Sequence, residues 1–202
     1  MAKADIQNAL FEKDFYYAYS PHTLEKKAFA PAEKRSFTDG EYFCLDNKFN
    51  ENINGFDYIS LLSRKKYTAG TKVRIKCAFK GYGAPLIVFT DDITGEGDFV
   101  RYGLHFEAVI HKGGVNMWHI VPFPENTARP IKSTNILSEK FPLPENTLID
   151  MTLCFGKKTV TVMTCGKSFE VSNEDFPESF HVGFTACEGY CAFTEFETEE
   201  PQ

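Results

Sequence analysis

At 202 residues the chain has the size of one all-β sandwich or barrel, which commonly runs to roughly 200 to 250 residues, so a single domain over residues 1–202 is expected. Hydrophobic residues make up 43% and charged ones 25%, as in globular proteins, while aromatics reach 15% with twenty Phe, which calls for wide sheets packed by rings. A net charge of −6 leaves no broad basic face for phosphates or anionic lipid, and no segment approaches the ~18 apolar residues of a membrane span, so neither nucleic acid nor membrane is an expected partner.

The opening residues, MAKADIQNALFEKDF, hold no apolar stretch followed by a small-residue cleavage site. The expected location is cytoplasmic as written, and secreted if a signal peptide has been removed. Tyr42 to Leu45 and Tyr58 to Leu62 are expected strands on either side of a polar stretch, Asp46 to Gly55. Lys72 to Phe79, KVRIKCAF, alternates Val73, Ile75, Cys77 and Phe79 with Lys72, Arg74 and Lys76, the pattern of a half-solvated antiparallel strand. Leu86 to Thr90, LIVFT, is apolar throughout and is expected to be covered on both faces.

Tyr102 to Val121, YGLHFEAVIHKGGVNMWHIV, carries the single Trp and three of the five His. A turn at Lys112-Gly113 makes it a hairpin and sets Glu107 beside Trp118, Val109 beside Asn116 and His105 beside Ile120. Leu104, Phe106, Ala108, Ile110 and Met117 then fall on one face, and His105, Glu107, Asn116 and Trp118 on the other. The next segment, Pro122 to Pro144, has five prolines and begins the phrase Pro-Glu-Asn-Thr twice, at Pro124 and Pro144, and reads as a long surface loop. Beyond it, Ile149 to Phe155, Thr159 to Thr164 and Ser168 to Val171 form a meander through Gly-bearing turns at Gly156-Lys157-Lys158 and Gly166-Lys167. Phe180 to Ala186 pairs with Ala192 to Thr198 across Glu188-Gly189-Tyr190. The six cysteines lack metal-site spacing and are expected as reduced thiols, with Cys187 and Cys191 the one pair close enough in sequence to bridge.

About a dozen strands, hairpin meanders and one crossing loop give an all-β fold: a two-sheet antiparallel β-sandwich, or jelly roll. The succession HFEAVIHKGGVNMWHIV, a Pro-rich loop, LIDMTLCFGKKTVTVMTCGKSFEV and FHVGFTACEGYCAFTEFE resembles the concanavalin A-like lectin/glucanase superfamily in its laminin-G-like form. The resemblance spans residues 71 to 198 and implies a domain that binds or cleaves glycans on a concave sheet, or holds a ligand at a rim cation site.

An indole stacks on the C–H face of a sugar, while Glu, Asn and His supply the few placed hydrogen bonds that orient it. Trp118, Glu107, His105 and Asn116 are therefore the expected ligand-binding set, with Arg74 and Tyr82 as possible neighbours and carbohydrate as the partner. The competing reading makes Trp118 a core ring, and a one-residue slip in register would exchange the faces. For an enzyme, a retaining mechanism needs two carboxylates about 5 to 5.5 Å apart. The superfamily's glucanases carry E-x-D-x-E for this purpose, and Glu195-Phe-Glu197-Thr-Glu199 has only the spacing. Glu107 is thus the one candidate catalytic residue. Asp91, Asp92, Glu96 and Asp98 crowd one loop, and hard cations such as Ca²⁺ favour oxygen-rich loops. No cofactor is expected apart from such an ion. The expected function is carbohydrate binding, with a glycoside hydrolase using a divergent site, or a protein-interaction domain, as alternatives.

Overall fold

The computed structural model describes residues 2–4, 13–20, 36–39, 42–45, 59–126, 131–187 and 189–201. Its strands in chain order are β1 (Ala2–Ala4), β2 (Phe15–Tyr19), β3 (Ser36–Asp39), β4 (Tyr42–Leu45), β5 (Ile59–Ser63), β6 (Tyr67–Thr68), β7 (Lys72–Lys80), β8 (Pro85–Thr90) and β9 (Ile93–Glu96). They continue with β10 (Phe99–Tyr102), β11 (His105–His111), β12 (Gly114–Pro122), β13 (Ile131–Lys140), β14 (Ile149–Phe155), β15 (Thr159–Thr164), β16 (Lys167–Ser172), β17 (Ser179–Ala186) and β18 (Tyr190–Glu199). Among the described residues no helix is long and apolar enough to cross a membrane.

Two sheets form. One has the order β16-β15-β14-β7-β18-β4-β3, with β1 also on β18; the other runs β13-β12-β11-β8-β17-β5-β2-β10-β9, with β6 also on β17. The period-two pattern of β7 turns Val73, Ile75, Cys77 and Phe79 inward, all fully buried, and leaves its cationic residues outside. Between the sheets a continuous core is dominated by rings, with Phe89 packed against Phe106 at 5.1 Å, Phe155 at 5.0 Å and Phe180 at 5.8 Å. The Phe-rich composition is spent here, because one ring reaches across to touch residues of both sheets.

The run LIVFT in β8 is buried on both faces, as its composition demands. Ile87 and Phe89 point into the inter-sheet core, while Leu86 and Val88 join Ala18, Leu62, Val100, Tyr102 and Val109 in a second cluster on the outer face of the ten-stranded sheet. The cause is an excursion of the chain. β8 pairs directly with β11, Phe89 opposite Phe106, yet β9 and β10 lie between them in sequence and join the far edge, where β10 runs parallel to β2. In a flat sheet β10 and β11, five places apart, would be about 24 Å from each other at ~4.8 Å per strand. Gly103 and Leu104 alone connect them, a reach of at most ~11 Å, and the Tyr102 and His105 rings sit 4.7 Å apart. The ten-stranded sheet therefore rolls over its own outer face.

The segment expected as a surface loop from Pro122 to Pro144 is corrected: Ile131–Lys140 is a ten-residue edge strand paired with the whole of β12. A bulge opposite Met117 and Trp118 puts Ile136 and Leu137 together on the core side, so the alternation that would have marked a strand is broken in the middle. The β15–β16 turn is Cys165-Gly166, both at positive φ of 48° and 72°, a two-residue turn matched to strand twist. β5 begins at Ile59, while Tyr58 and the polar stretch from Asp46 to Gly55 lie outside the described residues.

Candidate functional site

The β11–β12 hairpin has the register its turn implies, with His105 opposite Ile120, Glu107 opposite Trp118 and Val109 opposite Asn116. Phe106, Ala108, Ile110 and Met117 are fully buried between the sheets, and so His105, Glu107, Asn116 and Trp118 share the outer face. Trp118 is half-buried and packs against the outer-face cluster, not between the sheets. His119, of opposite parity, stacks on Phe106 at 4.5 Å from the core side.

The rolled sheet divides this face in two. Toward β10 it is closed: His105 is 0% exposed and Glu107 4%. Nδ1 of His105 lies 2.7 Å from the Gly103 carbonyl, which can only accept, so Nδ1 carries a proton. A second proton closes the 2.9 Å contact between Nε2 and the Glu107 carboxyl group. The Tyr102 hydroxyl meets Ser60 Oγ at 2.9 Å. Burial pushes its pKa well above the ordinary tyrosine range, and the nearby Glu107 pushes it further. Glu107, the candidate catalytic residue, is thus held by a buried imidazole within a polar layer beneath Tyr102.

Toward β13 the face stays open. Asn116 is half-buried, and its side-chain amide lies 3.2 Å from His111 Nε2, while the Gly113 N–H donates to His111 Nδ1 at 3.1 Å. Burial lowers the His111 pKa, which keeps the ring neutral near pH 7. Opposite Trp118 stands Asn135, and opposite Asn116 stands Ser138, both exposed. These two polar residues escaped the sequence reading because their strand was taken for a loop; the alternation of Ser133 and Asn135 ahead of the bulge is the trace that marks them.

The remaining expected residues are dispersed. Arg74 is corrected to the outer face of the eight-stranded sheet, away from Trp118. There it contacts Asp150 through Nε at 2.9 Å and Glu197 at 3.2 Å, and bonding to Asp150 raises its pKa. Lys76 with Glu195 and Lys72 with Glu199 extend the same ladder, which flanks a cleft of about 230 Å³ lined by Lys72, Arg74, Thr152 and Glu197 to Glu199. The glutamates of EFETE are thereby accounted for as partners of β7 cations. Tyr82 sits in the β7–β8 turn, 80% exposed, with Lys112 Nζ 5.5 Å from its ring centre.

The acidic segment is a hairpin of β9 and β10 whose carboxylates part company. Asp98 pairs with Arg64, Asp92 accepts from Leu104 N–H at 2.8 Å, and Asp91 and Glu96 are not drawn to either. Among the described residues no group of three or more His, Cys, Asp and Glu is arranged to hold a metal ion. All six cysteines are thiols; Cys187 packs on the outer-face cluster and Cys191 in the inter-sheet core, so the two side chains lie on different layers.

No protein-family model and no curated protein sequence matches the chain. Solved structures do match it. The carbohydrate-binding module CBM66 from Bacillus subtilis aligns with a TM-score of 0.59 at 12% identity, over 83% of this chain and 92% of its own. A structure from work on endo-acting O-glycanases expressed by human gut microbiota to initiate mucin breakdown reaches 0.62 at 8% identity, over 100% and 99%. LamAcat from Zobellia galactanivorans gives 0.52 at 9% identity, over 98% and 95%. The likeness at these identities is one of fold, and the expected two-sheet jelly roll is the observed one.

Proposed function

We propose that this jelly roll, of the concanavalin A-like lectin and glucanase type, is a carbohydrate-binding domain whose ligand lies across β12 and β13 on the outer face of the ten-stranded sheet. The observation that carries the reading is the half-exposed Trp118 ring on the same open face as Asn116, Asn135 and Ser138. An aromatic platform bordered by amide and hydroxyl groups matches a sugar, which offers an apolar C–H face and a rim of hydroxyls. The solved structures of like fold add support, since they include a carbohydrate-binding module and one from work on endo-acting O-glycanases. Glu107 and His105 stand behind the platform as a buried pair on β11, the interior strand paired with Trp118's own β12.

The test is a glycan array followed by calorimetry on neutral oligosaccharides with the wild-type chain and Trp118→Ala. Loss of the stacking ring is expected to weaken binding by about 10-fold or more, ~1.4 kcal/mol, in a chain that still folds with a lowered thermal midpoint, because the half-buried ring packs on the outer-face cluster and not in the inter-sheet core. Equal affinity in a folded Trp118→Ala variant would overturn the reading. Release of new reducing ends that stops in Glu107→Gln would move the chain to the glycoside hydrolases instead.

A further inference from the structure

We infer that the end of the sandwich where β7, β11, β13 and β15 finish is a lysine- and tyrosine-lined extension of this platform, and that it takes the carboxylate or sulfate groups of an anionic glycan. The inference deepens the proposed carbohydrate reading and rests on it.

In a chain with a net charge of −6 the cations are unevenly used. Arg64, Lys65 and Lys72 at the opposite end, and Arg74 and Lys76 in mid-sheet, each meet a carboxylate, while the exposed Lys66 and Lys157 at that end meet neither a carboxylate nor a ring among the described residues. At this end Lys80, Lys112, Lys140 and Lys167 are exposed, and among the described residues none of the four has a carboxylate partner. Three of them lie on aromatic rings instead: Lys80 over Tyr190 at 4.6 Å, Lys112 over Tyr82 at 5.5 Å and Lys167 over Phe141 at 5.2 Å. A cation over a ring face keeps its charge and three donors free for an anion, unlike one bound to a carboxylate.

The cluster is built on fixed backbone. Phe141 N–H donates to the Gly113 carbonyl and Leu143 N–H to the Lys112 carbonyl, each at 3.1 Å, so the segment after β13 is tied to the hairpin tip. Lys140 is opposite Gly114. The β7–β8 and β17–β18 turns press together so closely that a Cβ at Gly83 would stand 2.2 Å from the Tyr190 carbonyl oxygen. Tyr82 at that turn is therefore held out into solvent by a rigid support, which reduces the ordering cost of binding. Continuity with the platform runs through His111, which touches Asn116 on one side and the Gly113 N–H on the other. From Trp118 to Gly114 is four strand residues, ~13 Å, the span of a short oligosaccharide.

The probes are two matched pairs, dextran sulfate against dextran and oligogalacturonate against its methyl ester, titrated into the full chain at low and moderate salt. The charged member of at least one pair is expected to bind about 10-fold tighter at low salt, with the advantage shrinking as salt rises. Lys112→Gln/Lys140→Gln is expected to abolish the advantage, whereas Lys66→Gln/Lys157→Gln, of equal charge and at the opposite end, keeps it. Which pair shows the effect tells sulfate from carboxylate. Equal affinity for the charged and uncharged members overturns the inference, and the carbohydrate reading survives that result if neutral sugars still need Trp118. A loss of equal size in both lysine variants also overturns it, because net charge would then be the cause. A preference carried by Lys112 and Lys140 that Trp118→Ala leaves untouched supports the anion-taking rim and refutes the platform beside it.

Discussion

Rolling of the ten-stranded sheet depends on a contact that a double-mutant cycle measures. Tyr102 on β10 is 2% exposed, and its hydroxyl lies 2.9 Å from Ser60 Oγ on β5, itself fully buried. Ser20 also bonds the phenol. Tyr102→Phe keeps the ring and removes one oxygen, which leaves the Ser60 and Ser20 hydroxyls short of a partner, at about 1 kcal/mol each since a serine hydroxyl can turn toward another acceptor. The expected loss is about 2 kcal/mol. Ser60→Ala removes the other side of the contact and leaves the phenol with Ser20, for an expected loss of about 1 kcal/mol. If the pair is coupled as the geometry requires, the double variant falls short of the sum by about 1 kcal/mol. Urea unfolding followed by tryptophan fluorescence and by circular dichroism gives all four free energies, with an unchanged slope showing that the denatured state is not altered. Additivity within ~0.5 kcal/mol would refute the coupling and with it the view that β10 is latched to β5.

Two further outcomes follow from burial. A Cβ at Gly183 in β17 would stand 1.7 Å from the Leu61 carbonyl oxygen of the paired strand, so Gly183→Ala is expected to cost more than ~4 kcal/mol and to leave little soluble protein; recovery of a folded variant with a wild-type melting temperature would show that β5 can shift. Burial lowers the pKa of His111, His119 and His181. The unfolded chain then takes up protons first as pH falls below the ordinary histidine value of ~6.5, so stability is complete above that pH and declines below it toward the folded-state values. Urea midpoints at pH 7.5 and pH 5.5 check this, and a midpoint that holds or rises at pH 5.5 contradicts it.

Local chemistry made much of this fold legible. Strands β7, β14 and β15 show in the period-two alternation because each has one face toward the Phe core and one toward solvent. The direction of Trp118 was legible for the same reason: a two-residue turn at Lys112-Gly113 sets the pairing, and the apolar parity of Phe106, Ala108, Ile110 and Met117 can face only the core. β13 was not legible, since an edge strand with a bulge loses the alternation that depends on two faces and unbroken register.

What tertiary structure alone decided is which part of the outer face is open. The residues 91–104 carry no sign that they join β2 at the far edge, because a parallel pairing between segments some eighty residues apart leaves no local pattern in either. That pairing rolls the sheet, buries His105 and Glu107 beneath Tyr102, and leaves Trp118 and Asn116 beside Asn135 and Ser138. Sequence set the parity of each side chain, a local steric property; the closure of the sheet, a long-range one, determined which of those side chains a ligand meets.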